Sequence, residues 1–112
     1  MKHKMKLNNE PFNKIKNRTK TIEIRLNDEK RQLLNINDNI EFTNTETSEK
    51  IVVTIKALHK YPNFEELYKN FDKVSMGYKE NEVANYKDME KYYSEEEQNK
   101  YGVLGIEVEV RK

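Results

Sequence analysis

A chain of 112 residues with a net charge of +1 and no cysteine has the size of one domain with one core. The missing cysteines exclude a disulfide framework, thiolate metal sites and cysteine nucleophiles. Charged residues make up 37% and hydrophobic residues 35%, so a lean core and a very polar, soluble surface are expected.

Met1-Lys2-His3-Lys4-Met5-Lys6 is basic but is followed by no apolar segment, and no later apolar run could cross a bilayer, which favours a cytoplasmic location. A first strand is expected from His3 to Leu7. Pro11 near a first turn, with Phe12 and Ile15 on one face, predicts a short helix over 10–17. Lys14, Lys16 and Arg18 lie on or just beyond that helix.

In Lys20-Thr21-Ile22-Glu23-Ile24-Arg25-Leu26 the apolar residues alternate with Thr21, Glu23 and Arg25. Such a strand lays Ile22, Ile24 and Leu26 on a core and holds a carboxylate beside a guanidinium on the opposite surface. Two readings follow: a surface that binds a polar ligand, or a plain ion pair worth at most about 1 kcal/mol.

Asn27 to Arg31 is turn-forming, and Leu33-Leu34 suits a brief helical turn. Ile36-Asn37-Asp38-Asn39 is a tight-turn signal, since Asn and Asp tolerate left-handed conformations. A strand around Ile40 and Phe42 and a loop over 45–49 lead into residues 50–58, the strongest strand, with Ile51, Val53, Ile55 and Ala57 on one side. Its place is expected to be central. Phe64, Leu67, Tyr68 and Phe71 then mark an amphipathic helix after Pro62 and Asn63.

Residues 72–93 carry little periodicity, with Met76-Gly77-Tyr78 as a turn and Tyr86, Met89, Tyr92 and Tyr93 as scattered anchors. Ser94-Glu95-Glu96-Glu97 is a capping box, Gly102 a matching stop, and Val103 to Val110 a closing strand. Five strands without regular strand-helix repetition predict an α+β fold, a small mixed or antiparallel barrel of five to six strands with flanking helices, in one domain over 1–112. A doubly wound parallel sheet is disfavoured.

The first 33 residues hold ten Lys or Arg against four Asp or Glu, the remainder eleven against sixteen. That bias favours RNA, DNA or a nucleotide as partner, unless the folded chain interleaves the two parts and cancels the field. Among seven tyrosines, Tyr78 beside Gly77 is the candidate for stacking on a base; the others suit packing. His3 and His59 are far apart with no ligand spacing, so neither a metal nor a cofactor is expected.

The order of a short helix, Lys-Thr-x-Glu-x-Arg-Leu at 20–26, Asp38 opening the next strand, a long β-branched strand and Gly-Val-Leu-Gly-Ile at 102–106 resembles the ASCH domain, from about Met5 to Val110. The resemblance implies a PUA-like mixed β-barrel with a cleft where the signature residues gather, here Lys20, Glu23 and Arg25. It also implies an RNA- or nucleotide-related role. One branch of the family hydrolyses the amide of N4-acetylated cytidine with a Lys, a Thr and a Glu. Lys20 matches that lysine, but the threonine position is Glu23 here, Thr21 lies two residues away, and Glu80 and Glu82 are only neighbours of the third position. Arg18 and Asn37 stand where the family commonly has Gly.

Three functions follow. The leading one is an RNA- or nucleotide-binding module with Lys20, Thr21, Glu23 and Arg25 in the cleft, Lys14 and Arg18 extending its charge, and Tyr78 beside it. The second is an amidohydrolase of a modified nucleoside with Lys20, Glu23 and Thr21 as reacting candidates, which needs a lysine depressed by burial or by Arg25. The third is a protein-interaction module whose acidic later part docks a basic partner.

Overall fold

The structure is a computed structural model that describes residues 1–111; of the predicted span only Lys112 lies outside the described residues. Five strands, β1 (Lys2–Leu7), β2 (Ile22–Leu26), β3 (Asn39–Asn44), β4 (Lys50–Tyr61) and β5 (Val103–Val110), form one sheet in the order β1-β3-β4-β5-β2. The first pair is parallel and the rest are antiparallel, which makes the sheet mixed. It curls into a half-barrel flanked by helices, the expected α+β class. Its two edges, β1 and β2, border an open seam.

Helices α1 (Asn9–Lys16), α2 (Phe64–Tyr68) and α3 (Glu95–Tyr101) pack on this sheet. Their ends follow local chemistry. Asn63 accepts from the Glu66 amide at the start of α2, and Ser94 and Glu97 form the predicted reciprocal cap on α3. α2 is shorter than its apolar stripe suggested: Phe71 lies beyond it yet packs in the same cluster. The remaining signals resolve into short 3₁₀ turns at Arg31–Leu33 and Tyr86–Lys91.

Arg18, φ 71°, and Asn37, φ 77°, both adopt the left-handed conformation. Asn does so readily; for Arg the penalty is about 1 kcal/mol. Asp38 accepts from His3 Nε2 at 2.8 Å and from the Asn35 amide at 3.1 Å, fastening β1 beside the start of β3.

Instead of one core there are two apolar clusters, because the sheet buries both faces. Met5, Phe12, Ile15, Ile40, Phe42, Val53, Ile55, Leu104 and Ile106 fill the first. Ile22, Ile24, Leu26, Phe64, Leu67, Met76 and Val103 form the second, with six tyrosines packed around it. Four consecutive buried residues, Val103 to Ile106, record this two-sided burial in β5.

The predicted alternation in β4 holds only to Ile55. An irregularity between Ile55 and Ala57 resets its phase, so Leu58 rather than Ala57 packs against the first cluster. β4 also continues to Tyr61, since β5 supplies partners for that length. Among the described residues no helix is long and apolar enough to cross a membrane.

Candidate functional site

The register of β2 on β5 sets Glu23 opposite Ile106 and Arg25 opposite Leu104, two residues of the first core cluster. Glu23 and Arg25 thus do not lie on an exposed surface, as alternation alone suggested. They point into the curl of the sheet while Ile22, Ile24 and Leu26 pack in the second cluster. Glu23 is only 4% exposed and Lys20 6%.

Lys20 precedes the strand, where alternation no longer applies, and its Nζ reaches Glu23 Oε1 at 3.3 Å and the Met76 carbonyl oxygen at 2.9 Å. Arg25 Nε donates to Glu23 Oε2 at 2.7 Å, and its Nη2 donates to the Lys6 carbonyl oxygen on β1 at 2.9 Å. The guanidinium therefore spans the seam between the two edge strands. Gly77, φ 108°, leaves room for Lys20: a Cβ there would stand 3.1 Å from Lys20 Cδ.

Burial pushes the Glu23 carboxyl up, but Lys20 and Arg25 outweigh it and hold it below the usual carboxylate range. Burial likewise opposes the charge of Arg25, and Glu23 more than restores it, leaving the guanidinium raised. The sign for stability follows from the depressed carboxyl. Its contribution is complete above the unfolded value of about 4.3 and is lost as pH falls through the lower folded value. The stability deficit of Glu23→Gln against wild type, measured by urea unfolding, is expected to stay constant from pH 7 to about 5 and to shrink below about 4. A deficit undiminished at pH 3 would contradict the depressed carboxyl.

A cleft of about 320 Å³ opens on this trio, lined also by Lys6, Asn8, Tyr68, Met76, Gly77, Tyr78, Met89, Tyr92 and Tyr93. Its volume lies at the lower end of small-molecule clefts. Residues 72–93 form most of the facing wall, held by Lys20 on the Met76 oxygen and by Lys14 Nζ on the Gly77 oxygen at 2.6 Å. The amides of Thr21 and Ile22 both donate to the Ser75 oxygen, tying the same wall to β2.

Of the residues singled out from sequence, Lys20, Glu23, Arg25 and Tyr78 meet at the cleft. Thr21 does not line it, although alternation put it on the face of Glu23. Lys14 supports the wall from behind, also paired with Glu10 at 2.8 Å, and Arg18 is exposed away from the cleft. Tyr78 is pinned by its hydroxyl, 2.6 Å from Asp88 Oδ2. Glu80 and Glu82 are exposed outside the lining, and their backbone oxygens accept from Lys73. Among the described residues no serine or threonine lines the cleft.

Sequence reasoning missed Tyr68, Tyr92 and Tyr93 as cleft residues. Tyr92 is 66% exposed, while its neighbour Tyr93 packs against Phe64 with ring centroids 5.8 Å apart. A Tyr-Tyr pair after an irregular stretch was the available signal, but nothing local distinguishes an anchor from a platform. The basic bias is in part neutralised by folding, since Lys2 and Lys16 pair with Glu41 and Glu49.

No curated protein matches the chain. A crystal structure of the hypothetical protein PH0355 is 31% identical with a TM-score of 0.83, covering 99% of this chain and 100% of that one. A solution NMR structure of protein PF0455 from Pyrococcus furiosus is 33% identical with a TM-score of 0.72, covering 100% of this chain and 99% of that one. The ASCH domain profile matches residues 5–111, which span both edges of the seam and the whole cleft. The chain therefore belongs to the ASCH domain family.

Proposed function

We propose that this protein is a binding module for RNA or a nucleotide, which seats one base in the seam cleft. The carrying observation is the trio itself. A buried carboxylate holds Lys20 and Arg25 at the cleft, where the guanidinium also neighbours the Tyr93 phenol. The guanidinium is suited to a base carbonyl or a phosphate oxygen. Exposed Tyr92 supplies an aromatic face at the same cleft, and Lys6 a further cation.

Binding is favoured over amide hydrolysis by the absence of a hydroxyl nucleophile of the serine or threonine kind among the lining residues described. Lys20 Nζ, moreover, already has Glu23 and the Met76 oxygen as partners.

Fluorescence titration of a labelled single-stranded RNA hexamer is the direct test. Tyr92→Ala is expected to weaken binding about tenfold, as for loss of one base-aromatic stack. Tyr92 is exposed, so the fold should survive the change. No saturable binding by wild type, or binding by both Tyr92→Ala and Arg25→Ala as tight as that of wild type, would overturn the proposal. Release of acid from an N4-acylated cytidine would instead support the hydrolase reading.

A further inference from the structure

At the wall of the cleft, Tyr68 and Tyr78, backed by Asp88, carry a fixed order of protons. Tyr78 Oη stands 2.6 Å from Asp88 Oδ2 and 3.2 Å from the Asn85 carbonyl oxygen. A carboxylate and a carbonyl only accept, so the single Tyr78 proton goes to them. Tyr68 Oη, 3.0 Å from Tyr78 Oη, must then donate to it. Tyr68, which lines the cleft, has no second proton, so its hydroxyl can only accept from a further partner. Burial pushes both phenols up, Tyr78 further through its bonds to Asp88 and Tyr68, so neither ionises and the order persists.

We infer that this relay selects rings bearing an exocyclic amine over the corresponding oxo rings, with Tyr68 as the specificity residue and Asp88 as the residue that positions its proton. The inference rests on the proposed seating of a base in the cleft. Lys20 and Arg25 offer only donors, so a ring carbonyl or phosphate is served at their side. An amine meeting Tyr68 donates to it. An oxo group there sets lone pairs against lone pairs with no proton between, leaving two partly buried oxygens unsatisfied.

The probes are the 5′-monophosphates of cytidine, uridine, adenosine and inosine, titrated calorimetrically and by NMR. Wild type is expected to bind the amino members about tenfold more tightly than their oxo partners, the scale of one unsatisfied buried group. Tyr68→Phe should weaken the amino members and relieve the repulsion on the oxo members, so that the preference falls to within about twofold. Asp88→Asn, whose amide can offer Tyr78 either an oxygen or a proton, should bring the ratio to within about twofold.

Equal affinities for all four nucleotides in wild type, with Tyr92→Ala still weakening every one, would overturn this inference and leave the binding module intact. Preference unaltered by both Tyr68→Phe and Asp88→Asn would also overturn it. Absence of binding by any nucleotide or RNA would overturn both.

Discussion

Glu23→Ala is expected to destabilise the protein by about 3–5 kcal/mol, the range for removing one partner of a buried ion pair. Both oxygens of this carboxylate are engaged, one by Lys20 at 3.3 Å and one by Arg25 at 2.7 Å. Its removal leaves two cations facing each other inside the curl, each keeping a backbone carbonyl as partner but no counter-charge. Since net stabilities run to about 5–15 kcal/mol, such a loss takes a large share of the total. Denaturant unfolding at neutral pH reads it directly. A loss below about 1 kcal/mol would mean that the trio behaves as a solvated surface pair.

A second variant separates stability from function. Replacing all three charges together, as Lys20→Met, Glu23→Leu and Arg25→Met, removes the desolvation penalty along with the attraction. Buried ion pairs exchanged for apolar residues of similar volume are often neutral or stabilising by about 1–4 kcal/mol. The triple variant is therefore expected to recover most of the stability lost by Glu23→Ala, with no RNA binding. Recovery of both would show that the trio plays no part in recognition.

Phe64→Ala is the other change of large effect, expected to lower stability by about 3–5 kcal/mol through transfer and cavity terms. Phe64 is fully buried in the second cluster and backs Tyr93 at the cleft wall. Phe42, equally buried, belongs to the first cluster and is not among the residues that line the cleft. Phe42→Ala should match the loss of stability yet keep the affinity of the folded fraction. Phe64→Ala should lose about tenfold in affinity as well, on the scale of one disturbed base-aromatic contact. Titration under conditions where each variant remains folded distinguishes them, and equal affinities would mean that Tyr93 holds its place without Phe64.

Legibility along the chain followed the range of the interaction. Caps and turns were readable because their partners lie within a few residues: Ser94 with Glu97, Asn63 with Glu66, and left-handed Asn37 before Asp38. The alternation of β2 was readable for the same reason. It failed for Lys20 and Thr21, which lie outside the strand, and for Ala57, where an irregularity in β4 shifted the phase. Residues 72–93 were opaque because their placement comes from lysines elsewhere, Lys14 and Lys20, gripping their carbonyl oxygens.

By itself the sequence determined the α+β composition of the fold, the strand that carries Glu23 and Arg25, the helix caps and the resemblance to the ASCH domain. Tertiary structure alone decided that the charged side of that strand faces inward at a seam. It also brought Lys20 to Glu23 and Met76, and put Tyr92 rather than Tyr78 forward as the exposed aromatic at the cleft. The reason is physical. Alternation and capping act between near neighbours and leave a mark in local sequence, whereas the depth of a charge depends on what the distant chain lays over it. Here that cover is residues 72–93, packed across β2 by apolar contacts and carbonyl bonds that no short window contains.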